Sequence, residues 1–233
     1  MLYPCFPFRS RLLVGFCLLY LLVMTGCSGS SFRVQDLAKT DIDMVADLHY
    51  QQVELLLKEL TVKLYKRNPR ELQKVPGKTI DFRVTQIFTY PGKPQFAELG
   101  GGGIDAIELS VDPAFRGDRV FALIVGMTGM IRESYGLKTE FFMLSKLDHQ
   151  KLYHSARNIE IAMWRIRTHL DEQGKSLILT NSRKGEGYNL SYERLFGKLI
   201  AHQDMLALII AQKNQRVIKT VALNVASMAF IPL

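Results

Sequence analysis

The sequence predicts a mostly α-helical protein, a bundle of about five to six helices, with a minor strand pair as the only β-structure to consider. Apolar residues recur three or four positions apart in several long stretches, which places them on one face of a helix. Residues that favour helix N-caps precede those stretches, and Gly or Pro follows them. No repeat period or long heptad pattern is present, so the helices are expected to pack on one another.

The first predicted helix begins after Thr40 and ends before Pro69. Thr40 and Asp43, three positions apart, match a capping box, in which each side chain accepts from the other residue's backbone N–H. Pro69 ends the helix because proline lacks an N–H donor and disfavours helical geometry in the preceding residue. The apolar residues at helical spacing between these limits are Val45, Leu48, Val53, Leu56, Leu60 and Leu64.

A short helix is predicted from about Thr79, after the break at Pro76-Gly77, although its β-branched residues leave a strand open. The four consecutive glycines that come later predict a flexible loop at 100–103. An anion nest is the alternative interpretation, because glycines let backbone amides approach phosphate. The Gly-Lys-Ser/Thr of a phosphate-binding P-loop does not follow, which favours the flexible loop.

The run 120–131 predicts a central helix surrounded by other helices, because it is apolar on every side. It is too short to span a membrane, which takes roughly 20 residues. Gly126 and Gly129 would let a neighbouring backbone come close. Upstream, Asp112-Pro113 fits an N-cap followed by a first-turn proline, and downstream Gly136 fits the position just after a helix.

Another helix is predicted after Asp148, a suitable N-cap, with Gly174 at its end. Ser176–Thr180 has strand character, although no partner strand is evident in the sequence. The apolar stripe of this helix consists of Leu152, Ala156, Ile159, Met163, Ile166 and Leu170.

The last predicted helix begins at Asn189 or Ser191 and runs almost to Phe230, with a break near Asn214. Its apolar residues again recur at helical spacing, which predicts one buried face. These residues are Leu195, Leu199, Met205, Leu206, Ile209, Val217, Val221 and Val225.

The N-terminus has the pattern of a secretory signal peptide. Arg9 and Arg11 precede an apolar block, Leu12–Met24, and small residues follow it. The block is shorter than the roughly 20 apolar residues that a membrane-spanning helix needs, although an uncleaved N-terminal anchor stays open as an alternative. We therefore predict that residues 1–26 are removed as a signal peptide.

Met24-Thr25-Gly26-Cys27 resembles the lipobox of bacterial lipoproteins, a large apolar residue followed by two small residues and a cysteine. The resemblance implies that the Cys27 sulfur receives a diacylglyceryl group and that the chain is then cut before Cys27. Ser28 stands where an Asp favours retention in the inner membrane, so the resemblance implies sorting to the outer membrane, facing the periplasm. Two or three acyl chains would make this attachment firm, whereas one is marginal.

Cysteine use limits the chemistry of the mature chain. Cys5 and Cys17 leave with the signal peptide and Cys27 takes the lipid, so no thiol remains for a disulfide, a metal site or a nucleophile. The predicted organisation is a signal peptide at 1–26, the acylated cysteine and tether at 27–35, and a single helical domain at 36–233.

The chain is basic, with a formal charge of +8 at pH 7 that falls to +6 once Arg9 and Arg11 are removed. This balance favours anionic partners such as lipopolysaccharide, phospholipid headgroups or wall polymers. The positive residues are scattered along the sequence, so an ordinary solvated surface is the alternative. Nucleic acid is not expected as a partner in the periplasm.

No metal or cofactor site is predicted. No His-Glu-x-x-His motif occurs and the histidines lack metal-ligand spacing, so they are expected to be surface or hydrogen-bonded residues. The Gly-x-Ser-x-Gly and Ser-x-x-Lys motifs of serine enzymes are absent as well. The five histidines are His49, His149, His154, His169 and His202.

Glu133 is the candidate catalytic residue. Glu133-Ser134 is similar to the Glu-Ser at the catalytic acid of lytic transglycosylases, many of which are lipoproteins. Those enzymes place a Glu at the end of a buried helix, where desolvation lets it carry a proton to a glycosidic oxygen. The family's Gly-Leu-Met-Gln segment is missing, because Lys138 follows Gly136-Leu137. Arg132 is expected to hold the carboxylate ionised, and a solvated Glu133 is the alternative interpretation.

The sequence favours a lipid-anchored envelope protein that binds, scaffolds or assembles other components without catalysis. Its expected partners are the membrane, through Cys27, and other envelope proteins, while the oligomeric state is not fixed. One alternative is a peptidoglycan-cleaving enzyme that uses Glu133, and another is a carrier of lipid or lipoprotein with an apolar groove. Five aromatic residues near predicted helix junctions either line such a groove or belong to the core: Tyr135, Phe141, Phe142, Tyr153 and Trp164.

Overall fold

The structure is a computed structural model that describes residues 39–142, 146–180, 189–220 and 229–233. They belong to one unit, Lys39–Leu233, and the other unit, Met1–Ala38, lies outside the described residues. The described ranges contain seven α-helices and no β-strand, which confirms the predicted helical bundle. Instead of a strand pair they contain two isolated β-bridges, Phe96–Gly101 and Leu170–Ser176. The helices are α1 (Asp41–Arg67), α2 (Pro69–Gln73), α3 (Ile80–Phe88), α4 (Ile104–Val111), α5 (Arg119–Ser134), α6 (His149–Thr168) and α7 (Ser191–Lys213), and a 3₁₀ turn spans Ala97–Leu99.

Helix α1 begins and ends where the sequence predicts. The backbone N–H of Thr40 donates to Asp43 Oδ2 at 2.8 Å, and the N–H of Asp43 donates to Thr40 Oγ1 at 3.3 Å, so the capping box is confirmed. At the other end the Asn68 amide donates to the Leu64 carbonyl and accepts from the Leu179 N–H at 2.8 Å. Asn68 therefore ends α1 and also fixes the segment after α6 to it.

Helix α5 is the centre of the bundle, as predicted. Fifteen of its sixteen residues are buried, and only Glu133 is partly exposed. Asp118 caps its first turn, and Gly136 follows its last turn with φ +67° while the Leu137 N–H donates to the Arg132 carbonyl at 2.8 Å. Among the described helices none has the length and apolar character needed to cross a bilayer.

Helix α4 crosses α5 at two glycines, which confirms the predicted close approach. A Cβ built on Gly126 would lie 2.6 Å from the Gly103 carbonyl oxygen and 2.7 Å from the Ile107 nitrogen, so only glycine fits. The crossing is looser at Gly129, where the nearest backbone atom is 3.1 Å away. Gly103 is buried in this contact; the flexibility of residues 100–103 stays a prediction.

Two buried arginines hold the loops at the ends of α5. Arg119, the first residue of α5, donates to the carbonyl oxygens of Ser110, Asp112, Pro113 and Phe115. Arg132, in its last turn, donates to the carbonyl oxygens of Phe88, Tyr90 and Gly92 and to the Glu54 carboxylate.

A buried charged cluster joins α1, α3 and α5. The Arg83 side chain is 1% exposed, donates to Glu98 at 2.8 Å, lies 3.5 Å from Asp118 and stacks 3.7 Å from the centre of the Phe121 ring. Asp118 also accepts from the Tyr65 hydroxyl at 2.8 Å. Burial raises the pKa of Asp118 and, most of all, that of Tyr65. The cluster places the charged side chains of Arg83 and Asp118 inside an otherwise apolar core, while Glu98 stays 40% exposed.

Two predicted helix boundaries are wrong. Helix α6 ends at Thr168 and not at Gly174, because the Asp171 side chain accepts from the N–H groups of Gln173 and Lys175 and so stabilises a turn. Asp112-Pro113 does not begin a helix. Asp112 follows the end of α4 and its side chain accepts from the Ala114 N–H, another local turn.

The last helix is shorter than predicted. Helix α7 ends at Lys213, close to the predicted break, because Gln215 adopts the left-handed conformation with φ +51° and the Arg216 N–H donates to the Ala211 carbonyl. Residues 214–220 are not helical, so the prediction of a helix almost to Phe230 is wrong there. Val221 and Val225 lie outside the described residues.

Candidate functional site

The residues that predict a lipid anchor lie outside the described part of the chain. Residues 1–26, the lipobox-like segment and Cys27 all precede Lys39, the first described residue. Acylation of Cys27 therefore stays a prediction. The described elements offer three further features of functional interest: an exposed row on α1, Glu133 and a pair of histidines.

The first helix after the predicted tether carries a row of exposed apolar side chains. Met44, Leu48 and Leu55, the α1 row, are 46%, 59% and 56% exposed. Their spacing of four and seven residues places them on one face of α1, opposite the face that packs into the core. Exposed apolar side chains aligned along one face of a helix are typical of surfaces that bind a partner.

Glu133 forms an ion pair at the surface. Its carboxylate accepts from Lys93 Nζ at 2.8 Å, and the two side chains are 33% and 32% exposed. The stem of Lys93 lies along Gly129, where a Cβ would be 3.3 Å from Lys93 Cγ. Arg132 itself pairs with Glu54 at 2.9 Å, so the cation in contact with Glu133 is Lys93. The surroundings of Glu133 therefore fit a solvated glutamate better than the desolvated catalytic acid of a glycosidase.

His49 of α1 and His202 of α7 form a pair that the sequence does not reveal. Their Nδ1 atoms are 3.1 Å apart, and the rings meet edge to face with centroids 5.0 Å apart. Burial lowers the pKa of both rings, and the positive charges of His49 and Lys198 lower the pKa of His202 further. One ring donates to the other, which requires that the accepting ring be neutral.

We expect the contribution of the His49–His202 pair to the free energy of unfolding to fall as the pH is lowered through about 6.5, the usual pKa of an unfolded histidine. Because the pKa values of both rings are lowered in the folded state, these two side chains bind more protons in the unfolded chain, and their contribution rises with pH. Urea unfolding at several pH values between 5.5 and 7.5 gives the change in the free energy of unfolding with pH, and this change should be smaller in His202→Gln than in the wild type. Lys198→Gln should give an intermediate change. An unaltered pH dependence in His202→Gln would contradict the interpretation.

The described residues contain no group of three or more His, Cys, Asp or Glu that could hold a metal ion. His154 lies within hydrogen-bonding distance of the Gln150 side chain and of the Pro232 carbonyl, at 2.8 and 3.0 Å. His169 similarly faces the Arg165 carbonyl at 3.0 Å. These two rings therefore fit the prediction of hydrogen-bonded histidines.

Two of the five aromatic residues predicted near helix junctions belong to the core. Tyr135 and Phe141 are buried, and the Tyr135 ring contacts those of Tyr50 and Phe141 with centroids 5.2 and 5.8 Å apart. Phe142, Tyr153 and Trp164 are half-buried. Since α5 is buried on all sides, side chains fill the space around it, and this part of the bundle favours a packed core over an apolar groove.

Comparisons of the chain with protein-family models, with curated proteins and with solved structures find no match.

Proposed function

We propose that this protein is a lipoprotein of the bacterial envelope, held by acyl groups on Cys27 at the periplasm-facing surface of the outer membrane. The observation that carries the proposal is the lipobox-like segment Met24-Thr25-Gly26-Cys27 directly after the apolar block Leu12–Met24. Each buried CH₂ of an acyl chain contributes about 0.8 kcal/mol, so two or three chains hold a protein at a bilayer almost permanently. Ser28 supports the outer membrane as the destination.

Its proposed role is to bind, scaffold or assemble other envelope proteins without catalysis. The α1 row supports this role, because it offers an apolar surface to a partner helix with an apolar face. The other exposed residues of α1 from Asp41 to Leu55 are Asp41, Gln51 and Gln52, with no Lys or Arg among them. Lys58, the next cation along the helix, pairs with Glu54 at 3.6 Å. Helices that lie on anionic membranes carry several cations beside their apolar face, so a protein partner fits the row better than a lipid surface does.

The anchor is tested by Cys27→Ala in bacterial cells. We expect this variant to lose incorporation of labelled palmitate, because the acceptor sulfur is gone, and to remain uncut, because cleavage follows acylation in lipoproteins. Cys17→Ala, which changes a cysteine inside the predicted signal peptide, is the matched control and should be labelled and cut like the wild type. Labelling and cleavage that persist in Cys27→Ala would overturn the proposed anchor.

The binding role is tested in the same cells with a photo-reactive residue at Leu48. We expect a discrete crosslinked product from Leu48 in the wild-type background, and its loss when Leu55 in the same row is changed to Glu. The exposed loop residue Gln173 is the control position and should give no such product. Equal products from Leu48 and Gln173, or a product that is insensitive to Leu55→Glu, would count against the α1 row as the binding surface.

A further inference from the structure

A basic cleft opens beside α2, between the loop that precedes α5 and the loop that follows α6. Its volume is about 210 Å³. Four cationic and two anionic side chains line it, which gives the cleft a net charge of plus two at neutral pH. The charged residues are Arg70, Glu71, Lys74, Arg116, Arg119 and Asp171.

Both acids of the basic cleft already accept hydrogen bonds from the protein. Glu71 is 1% exposed, and its Oε2 atom accepts from the Arg119 backbone N–H at 2.9 Å and from Lys74 Nζ at 2.7 Å. Asp171 accepts from backbone N–H groups of its own turn, and these bonds lower its pKa. Glu71 therefore partly neutralises Arg70 and Lys74, with which it forms ion pairs, and the net charge of plus two remains for the cleft as a whole.

The arginines of the basic cleft differ in how much of their hydrogen-bonding capacity is used. Arg119 is committed to loop carbonyls; burial lowers its pKa, and the positive charges of Arg70 and Arg116 lower it further. Arg70 directs Nη2 at the carbonyls of Ser176 and Leu177. Arg116 is exposed and makes no hydrogen bond or ion pair in the part of the chain that the structure describes. Three guanidinium groups thus face one space and repel one another.

We propose that the basic cleft binds a phosphate group. A phosphate dianion matches the net charge of the cleft, and its oxygens suit the forked donors of arginine. Arg116 supplies its whole guanidinium. Arg70 supplies Nη1, which its bonds to Ser176 and Leu177 and its ion pair with Glu71 leave over. Lys74, directly after α2, supplies the donor that Glu71 and the Gly117 carbonyl leave over. The volume equals that of roughly seven water molecules, enough for a phosphate with a short substituent. The phosphate belongs either to a soluble monoester or to a lipid headgroup.

The test is calorimetric titration of the full chain in a neutral detergent with glycerol 3-phosphate, and with glycerol as the uncharged control. We expect Arg116→Gln to weaken binding of glycerol 3-phosphate at least fivefold, because it removes both a charge and a forked donor. Arg116→Lys keeps the charge but loses the forked donor, so its affinity for glycerol 3-phosphate should lie between those of the wild type and Arg116→Gln. The matched control is Arg194→Gln, an exposed arginine of α7 outside the cleft, which should bind like the wild type.

The source of the phosphate is distinguished by a second titration, with detergent micelles that contain phosphatidic acid or, as a control, phosphatidylcholine. Binding of glycerol 3-phosphate assigns a soluble monoester, and binding of phosphatidic acid alone assigns a lipid headgroup. The proposal is overturned if neither binds, or if Arg116→Gln and Arg194→Gln weaken binding equally, as general charge attraction would. It does not depend on the anchor, so Cys27→Ala should bind the same phosphate.

Discussion

Replacing Gly126 by Ala is expected to lower the free energy of unfolding by about 2 kcal/mol, although alanine is the better helix former. The added Cβ would lie within 2.7 Å of the Gly103 carbonyl oxygen and of the Ile107 nitrogen, which form the first hydrogen bond of α4. These are backbone atoms, so α4 as a whole has to move away from α5. Urea unfolding followed by circular dichroism measures the loss, which Gly126→Val should enlarge.

Two other glycines provide graded controls for this prediction. Gly129→Ala should cost less than Gly126→Ala, because its nearest neighbours are 3.1 Å or more from the added Cβ and one of them is the flexible Lys93 side chain. Gly197 in α7 has no atom within 4 Å of such a Cβ, so Gly197→Ala should stabilise the protein by about 0.5 to 1 kcal/mol. Equal effects at Gly126 and Gly197 would show that α4 and α5 do not pack as described.

Arg83→Met is expected to destabilise the protein by about 3 to 5 kcal/mol, the usual cost of removing one partner from a buried ion pair. Methionine keeps much of the apolar stem but leaves the Asp118 carboxylate buried without its cation. It also removes the guanidinium that stacks on Phe121. Glu98 is 40% exposed and can turn to water, so most of the cost should come from Asp118.

A double-mutant cycle tests that attribution. Asp118→Asn removes the charge but keeps an oxygen that can still cap α5, so it should recover stability in the Arg83→Met background. In the wild-type background the same change should be destabilising, because Arg83 then lacks a buried partner. Arg194→Met, at an exposed position, controls for the loss of a charge and should change stability by less than about 0.5 kcal/mol. Strict additivity of Arg83→Met and Asp118→Asn would contradict the prediction.

Local signals in the sequence predicted much of the fold. Thr40 with Asp43, Thr79 and Asp148 mark helix starts because a cap depends on residues within three positions of each other. The apolar run of α5 predicted its burial, and Gly126 predicted the crossing of two backbones. The C-terminal ends of α6 and α7 were predicted wrongly, although their causes are local as well: a turn stabilised by Asp171, and the left-handed backbone conformation of Gln215. Asp and Gln also occur inside helices, so neither residue marks a helix end by itself.

The contacts that distinguish the candidate sites could not be predicted, because they join residues far apart in the chain. His49 and His202 are separated by 153 positions, and Arg132 reaches Glu54 across 78. Periodicity says which face of a helix is buried, but it does not say which helix lies against that face. Glu133 illustrates the limit, since its neighbour in sequence suggested one partner and the fold supplies another, Lys93.

Because buried arginines hold the central helix α5 at both ends, this helix has little freedom to shift when a partner binds. Arg119 holds the loop before α5 and Arg132 holds the turn after α3, so α5 cannot slide or rotate without breaking several buried hydrogen bonds together. An arriving molecule would therefore meet a preformed surface, and association would cost little conformational entropy. Differences in affinity would then lie mainly in how fast the complexes dissociate.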